Sequence, residues 1–199
     1  MPLPIVLASG STIRKTLLEN AGLEIEIKPA RVDEEMIKQA LSADGSTSRD
    51  VADALAEAKA RKVSLKSPGQ LVFGFDQVLD FDQMILSKPK SIAEARDQLK
   101  QMKGQTHSLL SAAVIYENGE PLWRHVGIAR LTMRDFSDDY LDDYLARNWE
   151  SIRESVGGYK LEEEGVRLFS RIEGDYFTIL GIPMIELLSY LTIRGTLPA

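Results

Sequence analysis

The sequence predicts an α/β fold in which helices flank a mixed central sheet. Three observations carry that expectation. Apolar runs of strand length alternate with stretches whose apolar residues recur at helical spacing. Asn118-Gly119 separates two long strand-like runs and is the strongest hairpin signal in the chain, so at least one strand pair is antiparallel. A length of 199 residues, 44% of them hydrophobic, suits one sizeable core better than two.

Each element follows in order. Ile5–Ala8 reads as a short buried strand, and Ile13, Leu17, Leu18 and Ala21 then recur at helical spacing until Gly22 closes the helix. "LEIEIK" alternates as a strand does, and residues 28–48, polar at "SADGSTSRD", read as a loop leading into a helix from about Arg49 to Lys66. "LVFGFDQVLDFD" is an apolar strand with acids at its end. Ser91 and Glu94 have capping-box spacing for a helix that stops at Gly104. "HSLLSAAVIY" and "PLWRHVGIARLTM" form the hairpin about Asn118-Gly119, and further helices follow Ser137 and Pro183.

Composition excludes several functions. A net charge of −6 argues against a broad surface for nucleic acid polymers or anionic membranes, while leaving room for a local cationic pocket. With no cysteine, disulfides, thiolate metal sites and cysteine nucleophiles are ruled out. The start "MPLPIVLASGS" lacks a basic segment, and its apolar run is far shorter than the roughly 20 residues of a membrane span. A cytoplasmic protein is the expectation.

Two stretches carry chemistry. In "IVLASGSTIRKTLLENAG", a Ser9-Gly10-Ser11 turn enters a helix whose first turn holds Arg14 and Lys15. Unpaired N–H groups and the helix dipole at such an N-terminus seat a phosphate, and the two cations oppose the dipole where acids are expected. Ser11 as an ordinary N-cap with solvated cations is the plainer alternative. The Walker pattern is absent. In "FGFDQVLDFDQMILSKPK", Asp76 interrupts an apolar run, where a carboxylate needs a partner, a hydrogen bond or a metal. A carboxylate that orients water or a divalent cation, with Lys88 as a second phosphate cation, is suited to nucleotide hydrolysis. A strand-end ion pair between Asp76 and Lys88 is the structural alternative.

"LASGSTIRKTLL", "VDE", "ALAEAKA", "FGFDQV", "KGQTH", "GGYKLEEEG" and "RIEGDYFTILGIP" occur in an order and spacing that resembles the Maf family of nucleoside triphosphate pyrophosphatases. The likeness implies one Maf/ITPase-like domain over residues 1–199, its core from about 5 to 191, with a deep nucleotide cleft and often a homodimer. It further implies hydrolysis of a nucleoside triphosphate to monophosphate and pyrophosphate with Mg2+ or Mn2+. The family's phosphate loop falls on Ser9, Gly10, Ser11, Arg14 and Lys15, with lysine where a second arginine is usual. Its acidic loop residue falls on Glu34, its helix lysine on Lys59, its proton acceptor on Asp76 and its Lys-Pro lysine on Lys88, after Ser87 where glycine is usual. Asp76 and Glu34 are the implied metal ligands.

Base preference is assigned to Ile13, Gln77 and Glu162. Gln77 and Glu162 resemble the branch that acts on 7-methyl-GTP, where a carboxylate accepts from a guanine edge and offsets the ring's positive charge. Ile13 stands where that branch has tryptophan, and Glu163 where it has glycine. Glu162 as part of a solvated run with Glu163 and Glu164 is the competing reading. A dTTP- or UTP-preferring enzyme, and a nucleotide-binding regulator of septum formation without turnover, are the alternative functions. His107 and His125 lack metal-ligand spacing and read as strand residues, and Trp123, Trp149, Tyr140 and Tyr144 as core or dimer surface.

Overall fold

A computed structural model describes residues 4–198. In chain order the elements are β1 (Ile5–Leu7), α1 (Thr12–Asn20), β2 (Ile25–Ile27), α2 (Glu34–Ala43), α3 (Ser48–Ser64), β3 (Leu71–Phe81) and β4 (Met84–Leu86). Then come α4 (Ile92–Met102), β5 (Thr106–Glu117), β6 (Glu120–Met133), α5 (Asp138–Ile152), β7 (Phe169–Glu173), α6 (Tyr176–Ile179) and α7 (Met184–Ile193), with 3-10 turns at Val156–Gly158 and Glu164–Leu168. The strands make one sheet in the order β2-β1-β3-β5-β6-β7, and β4 pairs with the end of β3. β1 runs parallel to β2 and β3, and every other pair is antiparallel. Asn118 and Gly119 take φ of 52° and 81°, the two positive values that a tight two-residue hairpin turn requires.

The strand period explains how β3 organises the molecule. Val72 and Val78 join the core cluster that α3 supplies with Val51, Ala52, Leu55, Ala56, Ala60 and Val63. Phe73 and Phe75 join the cluster with Leu18 of α1 and Leu187 and Leu191 of α7. Successive side chains alternate faces, so Gly74 and Asp76 lie on the α3 side and Gln77 on the other. Close packing requires glycine at position 74, because a Cβ there would stand 2.2 Å from the Ala56 carbonyl oxygen and 2.8 Å from the Ala60 Cβ. With no side chain in the way, α3 lies directly on the strand.

Three expectations change. Residues 28–48 are not all loop, because Asp33 caps α2 by accepting from the Met36 N–H at 3.0 Å, with Glu34 and Glu35 in its first turn. The Ser91–Glu94 box is half formed: the Ser91 hydroxyl accepts from the Glu94 N–H, but the Glu94 carboxylate reaches the N–H of Lys90. Asp76 sits mid-strand, opposite Ala112 of β5, which removes the alternative of a strand-end acid. Among the described residues no helix is long and apolar enough to cross a membrane.

Candidate active site

β1 and β3 are parallel neighbours, so the segment leaving β1 emerges beside the middle of β3, the usual place for a site in an open α/β sheet. Ala8 donates its N–H to the Phe73 carbonyl at 2.8 Å, which fixes that segment against β3. Ser9 then accepts from the Ser11 N–H at 3.2 Å, and Ser11 is the N-cap of α1. The segment expected to seat phosphate is thus also a capped helix start. Gly10 is exposed, and the nearest atom to a Cβ there is Pro29 Cγ at 4.0 Å, so no packing within the protein demands glycine at this point.

Arg14 turns from the first turn of α1 under this loop. Its Nε donates to the Gly181 carbonyl and one Nη to the Phe75 carbonyl, each at 3.2 Å. Burial pulls the guanidinium's pKa down, opposed by the charges of Asp76 and Glu34, and it remains positive. Two of its five N–H donors are thereby committed, and the rest of the fork stays available to an anion. Lys15 departs from the expectation of a phosphate contact: it does not line the cleft, and its ammonium pairs with Glu19 at 3.5 Å along the outside of α1.

Because Gly74 lets α3 approach, Lys59 lies directly over Asp76, with Nζ 2.6 Å from Oδ1. Glu34, at the start of α2, reaches the same ammonium at 2.8 Å. Asp76 is 6% exposed, and burial raises its carboxyl's pKa, with the charge and hydrogen bond of Lys59 and the charge of Arg14 pulling the other way. For Glu34, burial pushes upward, but Lys59, Lys38 and Lys88 together outweigh it and the pKa falls below the usual carboxylate range. The alternative of an Asp76–Lys88 ion pair is not what forms. Lys88 faces Glu154 at 3.7 Å, both largely exposed.

These residues share one cleft of about 810 Å³. Ser9, Gly10, Ser11, Ile13, Arg14, Glu34, Lys59, Asp76, Gln77, Lys88 and Glu162 all line it. Its apolar surface comes from Leu109, Val156, Leu161, Ile179 and Leu180, with the Tyr159 ring held by its hydroxyl to His107 Nε2 at 2.7 Å. Gln77 is less free than a base-reading residue should be. Its Nε2 faces Ser111 Oγ, the Thr178 carbonyl and the Ile179 carbonyl at 2.9, 3.2 and 2.9 Å, which ties α6 to the sheet and leaves Oε1 as its acceptor. The acidic run separates. Glu163 accepts from Ser151 and Lys160, and Glu164 accepts from Arg147 and Asn148 and pairs with Arg167, which leaves Glu162 as the member that lines the cleft.

The loop reading of residues 28–48 concealed Glu35 and Lys38, which also line the cleft from α2. A signal was present, since Asp33 before two acids, with Ile37 and Leu41 four apart, is a helix-start pattern. Lys160 and Glu154, which also line the cleft, carried no sequence signal.

The fold and site define a class: an α/β protein whose cleft brings a helix N-terminus beside a buried carboxylate–ammonium pair. The chain belongs to the Maf family; the family model described as "Maf-like protein" matches residues 4–193. It is 60% identical over 198 residues to a nucleoside triphosphate pyrophosphatase of Roseobacter denitrificans, covering 100% of both chains. It is 61% identical over 197 residues to one of Ruegeria pomeroyi, covering 99% of each. A 7-methyl-GTP pyrophosphatase of Rhizobium meliloti is 47% identical over 195 residues, 98% of each chain.

Proposed function

We propose that this chain hydrolyses the α–β phosphoanhydride bond of a nucleoside triphosphate, releasing the nucleoside monophosphate and pyrophosphate. The observation that carries the reading is Lys59 clamped between Asp76 and Glu34 on a cleft wall that adjoins the N-terminus of α1. Asp76 Oδ1 is committed to Lys59, while Oδ2 makes no hydrogen bond among the described residues. A water at Oδ2 gives its proton to the carboxylate as its oxygen bonds to the α-phosphorus. The bond from that phosphorus to the bridging oxygen breaks, and its electron pair leaves with the diphosphate. A raised pKa makes Asp76 a stronger base than an ordinary carboxylate. Arg14 and the N–H groups of α1 hold the phosphate oxygens, and Lys59 is placed to meet charge that grows in the transition state.

Asp76 and Glu34 each have one oxygen on Lys59 and one without a protein partner among the described residues. No group of three or more acidic, histidine or cysteine ligands gathers among those residues. Two carboxylates completed by phosphate oxygens and water are what Mg2+ takes, so the residues fit a divalent cation arriving with the nucleotide. Mg2+ or Mn2+ held there would neutralise the triphosphate's charge and polarise its phosphoryl oxygens.

For the base, the reading favours a guanine-type ring such as that of 7-methyl-GTP. Support comes from Glu162, set apart from its bonded neighbours, and from the name carried by the Rhizobium meliloti relative. Family likeness also supports a homodimer. Pyrophosphate release measured over 7-methyl-GTP, GTP, UTP and dTTP, with and without Mg2+, tests both levels. Glu162→Gln should lower the specificity constant for 7-methyl-GTP relative to UTP by about tenfold or more, the scale of one charge-assisted hydrogen bond. An unchanged ratio removes Glu162 from base reading. Tight nucleotide binding without pyrophosphate release would instead assign the cleft to a regulator.

A further inference from the structure

We propose that the recess between α2 and Ser87 receives the diphosphate leaving group, with Lys38 as its phosphate-binding cation. The inference rests on the pyrophosphatase reading above. A cavity of about 330 Å³ opens beside the main cleft and shares Glu35, Lys38 and Ser87 with it. Gln39, Ser42 and Ile85 complete its lining, and the apolar wall of the cleft does not border it. A nucleotide with its base on that wall and its α-phosphorus at Asp76 sends its remaining phosphates away from the base. The recess is the space open to them on the α2 side.

The charges of the cleft single out Lys38. Lys59 is held by Asp76 and Glu34, Lys88 faces Glu154, and Arg14 is bonded to two carbonyls. Lys38 makes no ion pair among the described residues, and it lies one turn from Glu34 on the same face of α2. Glu35 shapes the ligand's chemistry. Its carboxylate, which accepts from Gln39 Nε2 at 3.2 Å, borders the same recess and disfavours a bare anion. The species that fits is therefore a diphosphate partly neutralised by a divalent cation.

Titration calorimetry with pyrophosphate plus Mg2+, and separately with a nucleoside monophosphate, tests this on the wild type, Lys38→Ala and Lys38→Arg. Lys38→Ala should weaken pyrophosphate about tenfold or more while the monophosphate changes by less than about twofold, and Lys38→Arg should restore most of the loss. Pyrophosphate affinity that is unchanged in Lys38→Ala, or that falls equally with the monophosphate's, overturns the assignment. If the wild type releases pyrophosphate from no triphosphate, the parent reading fails and this one with it. If the wild type turns over and only the calorimetric contrast is missing, this inference alone fails.

Discussion

The floor of the cleft and its rim are built by different physics. On the floor, Gly74, Asp76 and Lys59 are fixed by the contact of α3 with β3, where a single added carbon meets backbone at 2.2 Å. On the rim, α2 rests on the core through the partly buried Ile37 and Leu41, and Lys88 and Glu154 form an exposed ion pair near the exposed Glu162. Close-packed cores tolerate little change, whereas exposed pairs contribute on the order of 0–1 kcal/mol. In the proposed mechanism the base, Asp76, therefore sits on the tightly packed part, and Glu162, proposed to read the nucleobase, on the loosely held part.

The largest effect is expected from the charge on the floor. Asp76→Asn should lower turnover by about 10²–10⁴-fold, the usual effect of losing a positioned base, while nucleotide affinity stays within about tenfold. Folding should survive, since Lys59 keeps Glu34. In the wild type, the acid limb of kcat/KM should lie above the ordinary aspartate range, because burial raises the Asp76 pKa and only its ionised form accepts a proton. More than about a tenth of wild-type turnover in Asp76→Asn would return Asp76 to a structural role.

Gly74→Ala tests the floor through packing alone. Overfilling a core typically costs about 1–3 kcal/mol, and here the obstacle is backbone, so the upper end or beyond is expected. Chemical denaturation should show the loss, and the fraction that remains folded should turn over slowly, because a displaced α3 carries Lys59 away from Asp76. A stable, fully active Gly74→Ala would show that the Lys59–Asp76 contact does not depend on helix–strand distance.

A third test lies behind the rim, where His107 holds Tyr159. Burial lowers the His107 pKa to about 4, while the unfolded chain binds a proton near the ordinary value of 6.5. Between those values the unfolded state holds more protons than the folded one, so stability falls as pH drops through that window and levels off below it. The full effect is about 3 kcal/mol. His107→Gln should flatten the fall in Tm from pH 7 to pH 5. A slope identical to wild type would place the acid sensitivity in other groups.

The same division sets what was legible in the sequence. Local chemistry was readable: Asn118-Gly119 turns as expected, Ser11 and Ser137 cap their helices, and an acid inside an apolar run marked Asp76. Spatial partners were not. Nothing in the spacing of Asp76 and Lys88 shows that Lys59, 17 residues earlier on a helix, takes the ion pair, because that depends on how closely α3 packs. α2 reads as loop in the sequence because its apolar stripe, Ile37 and Leu41, is short and sits beside the turn-rich "SADGSTSRD".

The smallest expected effect is at Lys15, and it separates two cations that the sequence presents as equals. Consecutive residues of a helix point about 100° apart, and here the structure sends Arg14 and Lys15 to different places. Arg14 goes inward to the Phe75 and Gly181 carbonyls, and Lys15 goes outward to Glu19. Arg14→Ala should therefore raise KM and lower kcat together, as expected for a contact to phosphate that strengthens in the transition state. Lys15→Ala should leave both within about twofold and lower stability by no more than about 0.5 kcal/mol, the worth of one exposed i,i+4 pair. Steady-state kinetics of the two variants side by side decide the matter. A tenfold rise in KM for Lys15→Ala would mean that the bound triphosphate wraps around the start of α1 and recruits the outward cation, so that the phosphate seat extends beyond the cleft that the structure outlines.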